Sequence, residues 1–204
     1  MGEDKNILAQ AAENIEKEIG HYELLLKKRE KFSEQKISSL LQAALDLDED
    51  ELATRAYLLL SSFQLNFTLD HLKALDYAKL ALEQCEDVPD FFWRIRALNA
   101  TATSYHTLRD YPNELNLLQQ ALRLLESSRC QSIEYYPLHH MTNYSLGVMY
   151  SQMGLHAIAT PYIQEALKYC DGINDRQLFF KTKLTLANLR MYKREYDTSL
   201  SNYM

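Results

Sequence analysis

Apolar residues recur every three or four positions along almost the whole chain, which is the period of one face of an α-helix. Ile7, Ala11, Ile15, Ile19, Tyr22 and Leu26 mark such a face, with Glu and Lys opposite, and predict a helix over 4–30. Ser33, just ahead of Glu34 and Gln35, suits a helix start. Ile37, Leu40, Leu41, Ala44 and Leu45 then form the stripe of a second helix, ending near 46–50. A helix over 51–67 carries Leu58, Ser61, Ser62 and Leu65. After a turn at 68–70, the next carries Ala74, Ala78 and Ala81. Pro89 fits the first turn of a helix over 90–109, since its missing N–H costs nothing there. Arg109, Asp110, Tyr111 and Pro112 then make a turn before a helix with Glu114, Leu118 and Ala121.

The clearest unit runs from Asn143 to Asp171. Leu146, Gly147 and Tyr150 lie on a first helix that starts between Ser132 and Pro137, Gly154 breaks it, and small residues return on the second as Ala159 and Ala166 around Ile163. Small residues let the two helices approach and large ones fill the gap. The same small position holds Ser62, Ala102, Gly147 and Ala187, at intervals of 40, 45 and 40 residues. Leu-Gly-x-x-Tyr, a turn, then Ala-x-x-x-large-x-x-Ala resembles the tetratricopeptide (TPR) repeat, whose consensus period is about 34 residues. Longer helices account for the difference. The remaining signature residues are Tyr105 and Ala121.

The resemblance implies an all-α fold: a right-handed superhelical solenoid of antiparallel helix pairs, about ten helices in all. Residues 1–50 form an N-terminal pair, a degenerate repeat or cap. Residues 51–204 form the array, in units of about 51–88, 89–130, 131–172 and 173–204. In the last, Leu186-Ala187, a turn at Glu195-Tyr196, and Ser199 and Tyr203 follow the pattern, while Arg190 departs from it. The sequence stops inside that unit's second helix, so the expectation is a piece of a longer protein. The helix lengths resemble those of bacterial signalling TPR proteins.

Composition changes this picture little. Gly and Pro number only 5 and 4, consistent with long uninterrupted helices. A net charge of −6 disfavours a nucleic-acid face, and the run Lys27-Lys28-Arg29-Glu30-Lys31 reads as a cationic helix end. Three scattered cysteines, Cys85, Cys130 and Cys170, give neither a disulfide framework nor a zinc motif and fit a cytoplasmic setting. No apolar run approaches the ~20 residues of a membrane span.

No phosphate loop, nucleophile elbow or His-Glu-x-x-His motif is present, so the expectation is a non-enzyme without cofactor or metal. His139 and His140 point about 100° apart on a helix and lack a third ligand at a usual spacing. Phe91, Phe92 and Trp93 serve equally as groove wall or inter-repeat contact. In the TPR family the first helix of each repeat lines the ligand groove, and helical geometry then nominates Arg96, Asn99, Thr103, His106, Tyr144, Ser151, Lys181 and Asn188 as peptide contacts, with Leu59 and Phe63 earlier in the row. The family's two-carboxylate clamp is missing, since Leu59, Phe63 and Ser145 hold its places. The partner expected is a protein or peptide, and the role a sensory or docking arm of a bacterial signalling protein such as a diguanylate cyclase. A signalling-peptide receptor and a homodimer through the open repeat end are the alternatives.

Overall fold

The computed structural model describes the backbone of residues 2–86 and 90–203, and the side chains of 6–86, 90–127 and 129–192. The expected placement of Pro89 lies outside the described residues. Within them the chain is all-helical and has no strand: α1 (Gly2–Lys27), α2 (Glu34–Asp46), α3 (Asp50–Phe63), α4 (His71–Gln84), α5 (Phe91–Thr107), α6 (Tyr111–Leu125), α7 (Tyr136–Gln152), α8 (His156–Ile173) and α9 (Arg176–Tyr203). The chain divides into two compact units, Met1–Asp110 and Tyr111–Met204. The boundary falls between α5 and α6, inside the pair expected over 89–130.

Helix starts follow side-chain chemistry. The oxygens of Ser33 and Asp70 accept from the amides of Lys36 and Lys73, and Asp90 accepts from Phe92 N–H at 3.0 Å. Helix stops are less conventional. Arg29, Asp48, Arg109 and Gly154 all take φ between 57° and 76°. In each case the residue's amide and the next one donate back to carbonyls three and five residues earlier, as in Arg29 N→Leu26 O at 3.0 Å and Glu30 N→Leu25 O at 2.9 Å. This double closure satisfies the last carbonyls of the helix. Three of the four positions carry a side chain where glycine is usual.

In the first unit, Ile15, Ile19 and Tyr22 from α1 and Ile37 and Ala44 from α2 pack with Ala53, Ala56, Leu59, Leu60 and Phe63 of α3. Phe32 joins them, with Phe63 at 5.3 Å and Phe67 at 5.6 Å between ring centroids. Leu59 and Phe63, expected in a groove, are therefore core, because the N-terminal pair covers that side of α3. A π-helical turn over Gln64–Thr68 and a left-handed Leu69 end α3. Ala74, Ala78 and Ala81 of α4 are fully buried, and Ala81 and Cys85 pack with Leu58, Trp93 and Ala97.

In the second unit α7 and α8 pack closely around Gly147. A Cβ there would lie 2.5 Å from Ile163 Cγ1 and 3.3 Å from the Ala159 carbonyl oxygen, so a larger residue would have to displace the Ile163 side chain. Ala159, Ile163 and Ala166 are fully buried, with Leu146 at 1% exposure, as the spacing predicts. Ala102 and Ala121 are buried as well, and the Tyr150 ring stacks on Tyr162 at 5.6 Å. Ala187 differs from expectation and is exposed. The expected turn at Glu195-Tyr196 is also not formed, since α9 runs unbroken to Tyr203. That stretch contains no Gly, Pro or other helix breaker. Among the described residues no helix is long and apolar enough to cross a membrane.

Candidate functional site

The eight nominated residues fall into two groups, one in each unit. In the first unit, α5 supplies Trp93 and Arg96 one turn apart. The Arg96 guanidinium lies 4.9 Å from the indole centroid and Arg55 of α3 lies 5.3 Å from it, within cation–π range. Glu23 of α1 answers both: Arg55 Nη2 is 3.0 Å from its carboxylate and Arg96 Nη1 3.6 Å. Glu16 approaches Arg55 Nη1 at 3.6 Å. Burial pulls the Arg96 pKa below its ordinary value; Glu23 opposes this and Arg55 adds to it. Arg55 is 8% exposed, and its Nε has no partner among the described residues.

Three other nominees in this unit stand differently. Asn99 is 1% exposed and its Nδ2 donates to the Ile95 carbonyl at 2.9 Å. It is part of the packed interior rather than an accessible contact. Thr103 is exposed, its hydroxyl donating to the Asn99 carbonyl at 2.8 Å, and His106 is half-buried. Arg55 and Glu23 were not among the nominees. The signal was an arginine set among Leu52, Ala53, Ala56 and Leu58 to Leu60, a place where a charge needs a partner.

In the second unit, α7 and α9 bring Tyr144 and Lys181 together. The Lys181 ammonium lies 5.1 Å from the Tyr144 centroid, and the Tyr144 hydroxyl shares a hydrogen bond with Thr185 Oγ1 at 3.2 Å. Ser151 lies two turns beyond Tyr144 on α7, and Asn188 two turns beyond Lys181 on α9. Ser151 is half-buried, while Lys181 and Asn188 are exposed. Large apolar side chains flank this strip, with Leu184 at 63% and Met191 at 59% exposure.

Beneath it, His140 is 3% exposed and stacks on Tyr144 at 5.5 Å. Its Nε2 is 2.9 Å from Thr182 Oγ1, whose own proton goes to the Leu178 carbonyl, so the imidazole donates. Burial, with Lys181 adding to it, pushes the His140 pKa down to about 4. His139 turns away to different partners: its Nε2 lies 2.9 Å from the Cys130 carbonyl and its ring stacks on Tyr169 at 4.4 Å. Among the described residues no group of three or more His, Cys, Asp and Glu is placed to hold a metal ion. Comparison with known proteins finds no family model that matches the chain and no curated protein similar to it.

Proposed function

We propose that the chain is a non-catalytic, TPR-like helical-repeat module that docks a protein or peptide segment. The supporting observation is the meeting of α7 and α9 at Tyr144, whose ring lies beside Lys181 and whose hydroxyl bonds Thr185, with Ser151 and Asn188 two turns further along their own helices. Hydroxyl, amide and ammonium groups along such a strip can hydrogen-bond an extended or helical backbone, and Leu184 and Met191 provide apolar contact beside them. The charge is one cation within a polar row, which favours recognition of backbone and neutral side chains over a strongly acidic tail. On the resemblance to long-helix TPR proteins, the module is the sensory or docking arm of a larger bacterial signalling protein.

A random-peptide library panned against the immobilised protein tests this, with fluorescence anisotropy on the enriched peptides. Lys181→Ala/Asn188→Ala is the informative variant, because both residues are exposed; Asn99 is unsuitable, being buried. At least a tenfold loss of peptide affinity with an unchanged melting temperature is expected. If no peptide enriches, or the enriched peptides bind the variant as well as the parent, docking on this face is wrong.

A second reading, self-association, rests on Phe180, Leu184 and Met191, which are 66%, 63% and 59% exposed and line one side of α9. Sedimentation velocity of Leu184→Glu separates the two. A parent dimer that becomes a monomer in the variant supports self-association, whereas a monomeric parent removes it.

A further inference from the structure

Helix α9 repeats α7 at a distance of 40 residues, the interval from Gly147 to Ala187, and the two helices begin at matching positions, Tyr136 and Arg176. In that register His140 and Tyr144 correspond to Phe180 and Leu184, and Ser151 to Met191. On α7 this face receives a helix: His140 Nε2 is 2.9 Å from Thr182 Oγ1 and the Tyr144 hydroxyl 3.2 Å from Thr185 Oγ1, both on α9. On α9 the same face is open. Phe180, Leu184 and Met191 are exposed, as is Ala187, whose counterpart Gly147 packs against α8. Spaced by four, three and four residues, Phe180, Leu184, Ala187 and Met191 form the stripe by which one helix packs on another.

Charge narrows the choice of occupant. Between Arg176 and Tyr192, α9 carries Arg176, Lys181, Lys183 and Arg190, all exposed, and no Asp or Glu. Two such faces laid together would set like charges against each other, which opposes pairing of α9 with α9. A complementary surface is apolar along its centre and acidic at its edges.

Helix α1 has such a surface. Its stripe is buried at Ile15, Ile19 and Tyr22 but continues toward the N-terminus through Ala11 and Leu8, with Ile7 beside them. Ile7 and Leu8 are 67% and 55% exposed, so the packing surface runs on past the residues that cover it. Glu18 lies seven residues on from Ala11 and Glu16 four on from Ala12, so each borders one edge of the stripe, and both are exposed. Glu13 is engaged by Lys17 at 2.7 Å and Glu23 by Arg55 at 3.0 Å, whereas Glu16 lies 3.6 Å from Arg55 with its side chain 61% exposed.

We infer that α9 of one copy of this chain receives α1 of a second copy. The open end of the α1 stripe, Ile7, Leu8 and Ala11, lies on Phe180, Leu184 and Met191, and Glu16 and Glu18 face the cations beside that row. The contact is heterologous, since the two copies contribute different surfaces. It rests on the self-association reading above and names the surface that α9 meets; peptide docking at Tyr144 is independent of it. One helix laid on another falls at the small end of specific interfaces, below ~1,200 Å², so association in the micromolar range is expected.

Sedimentation velocity of the full chain and of two variants at exposed positions tests this. Ile7→Glu/Leu8→Glu removes the α1 side and Leu184→Glu the α9 side, and both should melt at the parent's temperature. The parent is expected to associate as its concentration rises, and less so as salt is added. Each variant alone is expected to be a monomer, and an equimolar mixture to form a complex of two copies, because one variant keeps its α9 face and the other its α1 stripe. If the parent associates but Ile7→Glu/Leu8→Glu does so equally, or the mixture stays monomeric, α1 is not the occupant although self-association stands. A monomeric parent overturns both, and its capture by phosphatidylserine vesicles would give the cationic, apolar row of α9 to a membrane surface instead.

Discussion

Gly147→Ala isolates the close approach of α7 and α8. The added methyl would sit 2.5 Å from Ile163 Cγ1, closer still to its Cδ1, and 3.3 Å from the Ala159 carbonyl oxygen. Ile163 is fully buried and has no open side to move into. Overpacking of this kind costs roughly 1–3 kcal/mol, and contact with two carbons and a backbone oxygen puts it near the upper end. Alanine also gains about 1 kcal/mol of helix propensity over glycine. The net expectation is a loss of about 2 kcal/mol, or a fall of about 1 M in the urea midpoint at an ordinary m-value. Gly20→Ala is the internal control, because a Cβ there meets only Arg55 Nη2 at 4.0 Å. It is expected to stabilise by about 0.5–1 kcal/mol. Urea unfolding followed by far-UV circular dichroism reads both. Adding Ile163→Ala to Gly147→Ala should cost less than the sum of the single changes by at least about 1 kcal/mol, since the new methyl fills part of the space vacated. Should Gly147→Ala stabilise the protein as Gly20→Ala does, the two helices do not approach as described.

Two further outcomes follow from buried groups. His140 has its pKa lowered from 6.5 to about 4, first by burial and then by Lys181, while Asp175 pulls the other way. Below about pH 6.5 the unfolded chain takes up a proton that the folded chain refuses until about pH 4, so stability is level above that window and falls within it. The fall amounts to as much as about 3 kcal/mol, and His140→Gln should flatten it in urea titrations over that range. Cys85, Cys130 and Cys170 are buried thiols outside any disulfide, and burial pushes the Cys85 thiol up to about 11. A disulfide-exchange reagent at pH 8 should label the folded protein at least a hundredfold more slowly than the urea-unfolded chain. Rapid labelling of one equivalent before unfolding would contradict that burial.

The helical core was legible in the sequence where one face decides everything. Ala159, Ile163 and Ala166, and Ala74, Ala78 and Ala81, are buried as their spacing requires. The stops were harder to see. Gly154 announces itself, but Arg29, Asp48 and Arg109 take the same left-handed conformation without a glycine to mark it. Positions shared by three helices were harder still. Asn99 and Leu59 lie on faces that helical geometry aims at a groove, yet both are buried, Leu59 beneath the N-terminal pair. The absent turn at Glu195-Tyr196 shows the converse: a repeat pattern proposes a break that the local residues, all compatible with helix, do not enforce.

The ion pairs on Arg55 bear on alignment. The apolar stripe of α1 repeats every three or four residues, so Ile15, Ile19 and Tyr22 alone would let the helix slide along α3 by one turn and meet nearly the same surface. The carboxylates do not repeat that way. A shift of four residues in one direction would replace Glu16 and Glu23 by Ala12 and Ile19, and in the other by Gly20 and Lys27. Both alternatives strand a guanidinium that is 8% exposed, and the second sets an ammonium beside it. The two acidic residues thus act as an index mark on an otherwise periodic contact, selecting one of several near-equivalent settings of the first helix.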